Sequence, residues 1–252
     1  PQLWKGKVGH WAPLLGHTGN TTLRDISGWG GHGRMINVTD ADWIVEEFGR
    51  GLEFAGGNER IDTRDIDLDF CTITAWVRGD VDSDQSYLLN KNFNGTNVPY
   101  NLSYRGSNLL TTAGMAFYDG VWRKTGVNTQ IAGDGLTHFI AGTYDGVTLR
   151  YYVDGIEDAT LDYSSILPKN DNVVTLGRYI NDARSLDGAF FEIRLYDYAM
   201  PATMLKWMND NPYADLIPKT RVLGKAAAAA GISMPLVMLQ HNHLAGGIRA
   251  NA

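Results

Sequence analysis

Two Asp-Gly pairs, Asp145-Gly146 and Asp154-Gly155, bracket the stretch Val147 to Val153. Such a pair between apolar runs marks a tight hairpin, because both central residues of the favoured turn take positive φ and glycine does so at little cost. Between the pairs, Leu149, Tyr151 and Val153 alternate with Thr148, Arg150 and Tyr152. That period of two belongs to a strand with one buried and one wetter face. The pattern predicts a meander of three antiparallel strands, and the chain is therefore expected to be built on antiparallel sheet.

The same segment carries a family likeness. The run Thr137-His138-Phe139-Ile140-Ala141-Gly142-Thr143-Tyr144-Asp145-Gly146, followed by Leu149-Arg150-Tyr151-Tyr152-Val153-Asp154-Gly155, resembles the core hairpins of the laminin-G-like, concanavalin A-like jelly rolls. Gly51-Leu52-Glu53-Phe54 and Phe70-Cys71-Thr72-Ile73-Thr74-Ala75-Trp76-Val77 are similar to the early strands of that family. Thr175-Leu176-Gly177-Arg178 and Gly188-Ala189-Phe190-Phe191-Glu192-Ile193-Arg194-Leu195-Tyr196 are similar to its closing ones. The resemblance implies an all-β, concanavalin A-like (laminin-G-like) jelly-roll sandwich of two antiparallel sheets, with one short C-terminal helix. Members of the family do many things, so the likeness supplies a fold and leaves the function to the site.

Composition agrees. A chain of 252 residues can bury roughly 70–75% of its unfolded surface, and Gly 29, Trp 7 and Tyr 12 describe a glycine-turned, aromatic-rich sheet protein. The formal net charge of -6 offers no basic footprint, which argues against nucleic acid and anionic membrane as partners. Cys71 is the single cysteine, so no intrachain disulfide can form. Inside a predicted strand it reads as a small buried hydrophobe rather than a reactive thiol. Pro1-Gln2-Leu3-Trp4-Lys5 carries no apolar signal run, and the expectation is synthesis in the cytoplasm.

Along the chain, Trp11-Ala12-Pro13-Leu14 reads as a first strand, and Asp25-Ile26-Ser27-Gly28-Trp29-Gly30-Gly31-His32-Gly33 as a tight glycine loop. Pro201 suits the first position of a helix, with Met204, Leu205 and Met208 placed to face the sheet and Asn211-Pro212 ending it. This divides the chain into a jelly-roll domain, 1–211, and a C-terminal extension, 212–252. The extension holds a mostly apolar run, Ile232 to Leu239, interrupted by Pro235 and too short to span a membrane. It reads as an arm whose Leu236, Val237, Met238 and Leu239 lie along a partner. Asn211-Pro212-Tyr213-Ala214-Asp215-Leu216-Ile217-Pro218 is similar to the Asn-Pro-Trp-type segment after the laminin-G-like domain of many phage and prophage structural proteins, with Tyr213 in place of the Trp.

Three kinds of site can be weighed. Glycosidases on this fold need paired carboxylates on one strand; no Glu-x-Asp-x-x-Glu run occurs, and Asp65, Asp67 and Asp69 share a strand face only if that segment is regular. Calcium is implied by the family and would need hard oxygen ligands, for which Asp25 and Asp119 are the loop candidates. This chain has Gly57-Asn58-Glu59-Arg60 where members carry an Asp-Asp pair, so no cofactor is expected. Carbohydrate binding uses aromatic platforms beside Asn, Asp and Arg. Tyr118, Trp122, Arg123, Tyr100 and Asn101 form such a mixture, although aromatic residues in strands equally serve the core.

These readings combine into a first expectation, a non-enzymatic phage virion component. It would be a capsid decoration or another head or tail protein, a homo-oligomer that grips neighbouring virion subunits through its arm. The alternative is a carbohydrate-binding module, for adsorption or adhesion, that recognises a host or environmental glycan.

Overall fold

The computed structural model describes residues 3–15, 21–80, 85–92, 96–105, 114–179 and 185–214. In chain order the strands are β1 (Lys7–Trp11), β2 (Thr22–Leu23), β3 (Gly33–Ile36), β4 (Trp43–Glu46), β5 (Gly49–Ala55), β6 (Arg60–Asp62), β7 (Cys71–Gly79) and β8 (Gln85–Lys91). They continue with β9 (Val98–Arg105), β10 (Gly114–Tyr118), β11 (Trp122–Lys124), β12 (His138–Tyr144), β13 (Thr148–Val153), β14 (Ile156–Asp162), β15 (Val174–Leu176) and β16 (Asp187–Tyr196), before helix α1 (Ala202–Asp210). Two 8-stranded antiparallel sheets result. The first has the order β14-β13-β12-β7-β16-β5-β4, with β1 also paired to β16; the second has the order β11-β10-β9-β8-β15-β6-β3-β2.

Apolar residues at every second position of both sheets meet in one core. Ile73, Ile140, Leu149, Tyr151 and Ile193 come from the first sheet and Ile61, Leu89, Leu102, Met115 and Leu176 from the second. Each such side chain contributes about 1.5–3 kcal/mol on burial, and this non-directional term holds the sandwich closed. Cys71 belongs to the core, where burial pushes its thiol far above the ordinary range.

The predicted meander is present as β12-β13-β14, and its two turns differ. At the second, Asp154 (φ 50) and Gly155 (φ 77) both take positive φ, as a two-residue turn requires. The first is longer, because pairing closes at Tyr144↔Leu149. There only Gly146 turns left-handed (φ 91), and Asp145 Oδ1 accepts the amides of Val147 (2.9 Å) and Thr148 (2.7 Å). The expected wetter face of β13 is corrected in part. Tyr152 is only 2% exposed, because α1 covers that side of the first sheet, packing Leu205 and Met208 with Trp76, Phe139 and Tyr152.

Pro201 stands one position earlier than expected, as the helix cap (φ -68, ψ 148), and Asn211 closes the helix. The first strand runs Lys7–Trp11 and not from Trp11 onward, since Pro13, which has no amide hydrogen to donate, opens a short 3-10 turn, Pro13–Leu15. Contacts gather Pro1–Asp215 into one compact unit. No helix among the described residues is long and apolar enough to cross a membrane.

Candidate functional site

Residues that alternate with the core positions of the second sheet must point away from the core. Following the strand registers, Thr22, Arg34, Asp62, Thr175, Asn90, Asn101, Ala116 and Lys124 stand side by side across all its strands. At a strand spacing of about 4.8 Å this polar row is on the order of 34 Å long. Part of it is internally bonded: Thr175 Oγ1 donates to Asp62 Oδ1 (3.2 Å) and accepts from Asn92 Nδ2 (2.8 Å).

At its middle the bonding fails. Asn90 Nδ2 donates to the Arg178 carbonyl, but Asn90 Oδ1 and both amide atoms of Asn101 are buried with no hydrogen-bond partner among the described residues. Burying such a group unpaired costs about 1–3 kcal/mol, so these atoms call for a polar group from elsewhere.

The row ends on an aromatic pair. Tyr118 and Trp122 are directly opposed in the β10–β11 hairpin, with ring centroids 5.3 Å apart, and Trp122 is 39% exposed. They follow Ala116 and precede Lys124 at two-residue steps, which places them on the face that carries Asn101.

The other predicted members are corrected. Tyr100 is fully buried, with its hydroxyl donating to the Ile66 carbonyl at 2.7 Å. Next to Asn101 in a strand it must point into the core, where no sugar can stack on it. Arg123 is separated from Trp122 for the same reason. It pairs with core-facing Phe117, and its guanidinium lies 4.0 Å from the Tyr163 ring while Nε meets Asp119 Oδ1 at 3.4 Å. Only Asn101, Tyr118 and Trp122 of the five share the outer face. Asn90 and Thr175 escaped sequence reasoning, although the alternation of polar and apolar residues around each was visible.

The two calcium candidates are occupied by protein donors. Asp25 is 3% exposed and not solvated, and accepts from the amides of His10 (3.0 Å), Ser27 (2.8 Å) and Gly31 (2.8 Å) and from Ser27 Oγ (2.8 Å). Asp119 accepts the Tyr163 hydroxyl (2.8 Å) and the Val121 amide (3.3 Å) beside its contact with Arg123. Among the described residues no three His, Cys, Asp or Glu side chains gather into a metal-binding group. The arm residues Leu236, Val237, Met238 and Leu239 lie outside the described residues.

The three neighbouring aspartates do not form a strand face, because the chain is irregular between β6 and β7. Asp65 and Asp67 both hold the ammonium of Lys91, which is fully buried, and Asp69 holds Lys169 at 2.9 Å. Each carboxylate is thereby committed to a cation.

Two histidines titrate away from their ordinary range. Hydrogen bonds that Nδ1–H donates to Asp154 (2.8 Å) and Nε2–H to Asp134 (2.9 Å) raise His138 to about 8. His10 is lowered, chiefly by burial. Its Nδ1 faces the Lys7 ammonium at 2.9 Å, so Nδ1 accepts and Nε2–H donates to Glu192 (2.5 Å), whose other oxygen holds Arg194 at 2.6 Å.

Two antiparallel sheets of this order, closed over one core and carrying a polar outer row, define a jelly-roll sandwich. Residues 55–205, more than half of the chain, match the family described as the concanavalin A-like lectin/glucanases superfamily, and the chain belongs to that family. No curated protein matches the sequence. Among solved structures the chain is similar to domain 4 of AbnA, an extracellular GH43 arabinanase from Geobacillus stearothermophilus, solved in complex with arabinotriose. The TM-score is 0.66 at 14% identity, over 81% of this chain and 98% of that one. It is also similar to the binding domain of Paraclostridial Mosquitocidal Protein 1 (TM-score 0.64, 11% identity, 84% of this chain and 54% of that one). A third likeness is to Trypanosoma rangeli sialidase (0.56, 13%, 81% of this chain and 32% of that one). At these identities the likeness is one of fold.

Proposed function

We propose that this protein is a non-enzymatic carbohydrate-binding module, and that the outer face of the second sheet holds the glycan. The observation that carries the reading is the Asn101 amide, buried without a partner one strand from the half-exposed Tyr118–Trp122 pair. A sugar offers both of the things this arrangement lacks. Its C–H face stacks on the indole; the Asn90 and Asn101 amides are closed to solvent in the free protein, so on binding their cover opens and the vicinal hydroxyls then donate to Asn101 Oδ1 and Asn90 Oδ1 while accepting from Asn101 Nδ2. The fold supports the reading by analogy, since the arabinanase domain of the same architecture was solved with arabinotriose. Carried on a phage particle, as the segment after α1 implies, such a module would serve adhesion.

Calorimetric titration against a panel of arabino-, xylo-, galacto- and glucooligosaccharides tests it. The expected result is saturable binding to at least one of them, lost in Trp122→Ala and Asn101→Ala with melting temperature retained. The side-chain amide resonances of Asn101 should shift on titration, and the sugar should be recovered intact. Absence of binding across this panel and across uronic-acid and sulfated oligosaccharides, or binding that both variants leave unchanged, would overturn the proposal.

A further inference from the structure

The opposite edge of the second sheet carries a different chemistry. There the loop between β2 and β3 is pinned by the hydrogen bonds that Asp25 accepts within it, from the Ser27 and Gly31 amides and the Ser27 hydroxyl, and by Trp11 Nε1 donating to the Gly31 carbonyl at 2.9 Å. Gly28 (φ 95) and Gly30 (φ 71) turn the chain on either side of Trp29, whose indole projects 62% exposed. A large apolar side chain held out in water on a pinned loop forgoes the stabilisation that a buried one would gain.

The Arg64 guanidinium lies 5.9 Å from the centre of that indole. Among the described residues Arg64 has no carboxylate partner and its buried Nε–H has no acceptor. Asp25 lies beyond Gly31, on whose missing Cβ position Asp25 Oδ2 and Arg64 Nε converge at 3.3 Å each, but its oxygens already serve the loop. Arg34 and Arg60 share a single carboxylate, Asp62, at 3.9 and 3.2 Å, and the Arg34 side chain is 74% exposed. This edge is therefore short of negative charge in a chain whose formal charge is -6.

We infer that Trp29 and Arg64 form a subsite for an acidic sugar, and that the ligand of this protein is an oligosaccharide bearing carboxylate or sulfate groups. The inference rests on the glycan-binding reading above and adds the ligand's charge. The Arg64 guanidinium lies beside the indole with Nε buried, which leaves its two terminal amino groups to meet an oxyanion in two hydrogen bonds. The free face of Trp29 takes the ring of the same sugar. A neutral sugar would leave the guanidinium without a counter-charge, whereas an oxyanion at its terminal amino groups supplies one; Nε itself stays buried under the loop.

The experiment uses the full chain and three hexasaccharide probes: an oligogalacturonate, a sulfated galactan oligomer and the neutral galactan oligomer. Titrations at 50 and 300 mM salt compare the native protein with Arg64→Gln, Trp29→Ala and Trp122→Ala. We expect an acidic probe to bind more tightly than the neutral one, with affinity falling as salt rises. Arg64→Gln should lower that affinity roughly ten- to hundredfold and leave any neutral binding unchanged; which acidic probe wins assigns carboxylate or sulfate. Equal binding of acidic and neutral probes, or acidic binding indifferent to Arg64→Gln and Trp29→Ala but lost in Trp122→Ala, overturns the inference and leaves the glycan-binding reading standing. Binding of none of the probes, with the wider panel also silent, overturns both.

Discussion

Asn90 and Asn101 stand opposite each other on neighbouring strands, and of their side-chain amide atoms only Asn90 Nδ2 has a hydrogen-bond partner among the described residues. A fold selected for stability alone would place apolar residues, or a bonded pair, at such a position. The unmade bonds lie near the Tyr118–Trp122 pair, and under the proposed function a ligand's hydroxyls complete them once their cover opens.

A stability test follows directly. Asn101→Leu removes two unpaired polar atoms from a site only 1% exposed while roughly conserving volume. Stability should stay level or rise by about 1 kcal/mol, because the desolvation penalty disappears with the amide, and glycan affinity should vanish. Chemical denaturation read beside titration checks both. A loss of about 2 kcal/mol or more would mean that the amide is bonded in solution.

Asp25 organises the β2–β3 loop and is not a cation ligand. Asp25→Ala should cost about 3 kcal/mol, since it strands three backbone amides and a hydroxyl that the carboxylate now satisfies. Millimolar calcium should leave the native melting temperature unchanged, because a cation that stabilises must bind the folded state. A calcium-dependent rise that Asp25→Ala abolishes would refute this assignment.

Lys91 and its two aspartates should respond asymmetrically. The ammonium is fully buried while the Asp65 and Asp67 side chains are 46% and 42% exposed. Lys91→Met leaves carboxylates that water can reach and should cost about 1 kcal/mol. Asp65→Asn combined with Asp67→Asn leaves a buried cation uncompensated and should cost about 3–5 kcal/mol. Urea denaturation of the two variants distinguishes this from equal effects.

Stability should peak near the ordinary histidine range. His138 is raised in the folded state to about 8, so its contribution is complete below about 6.5 and fades as pH rises through 8, by about 1 kcal/mol after allowing for solvent screening. His10 is lowered, so the unfolded chain takes up protons first and stability falls as pH drops below about 6.5. Melting curves from pH 5 to 9 should show both shoulders. His138→Gln should flatten the alkaline one alone, and a profile unchanged in that variant would contradict the assignment.

Much of the architecture is written locally. The period-two alternation of Leu149, Tyr151 and Val153, the Asp154-Gly155 turn and the helix behind Pro201 depend on residues a few positions apart, so the meander and the burial of Cys71 were legible locally, and the sandwich class through the family resemblance of the strand blocks. Where local reading fell short, an intervening rule decided. The Asp145-Gly146 turn lengthened because the Asp145 carboxylate captured the amides of Val147 and Thr148, and Tyr152 was buried by a helix that arrives only at Ala202.

The site was legible only in fragments. Tyr100 and Asn101, like Trp122 and Arg123, are chain neighbours, and strand alternation sends one of each pair inward and the other outward. The outer row itself joins Thr22, Arg34, Asp62, Thr175, Asn90, Asn101, Ala116 and Lys124 through strand pairings between segments distant in the chain. Arg64 is placed against Trp29, and Lys91 between Asp65 and Asp67, by the same closure of the sandwich. Composition and spacing determined which residue types were available. Only the tertiary structure decided which of them face one another and which polar atoms remain without a partner, because both depend on sheet register, which is set by the burial of the whole core.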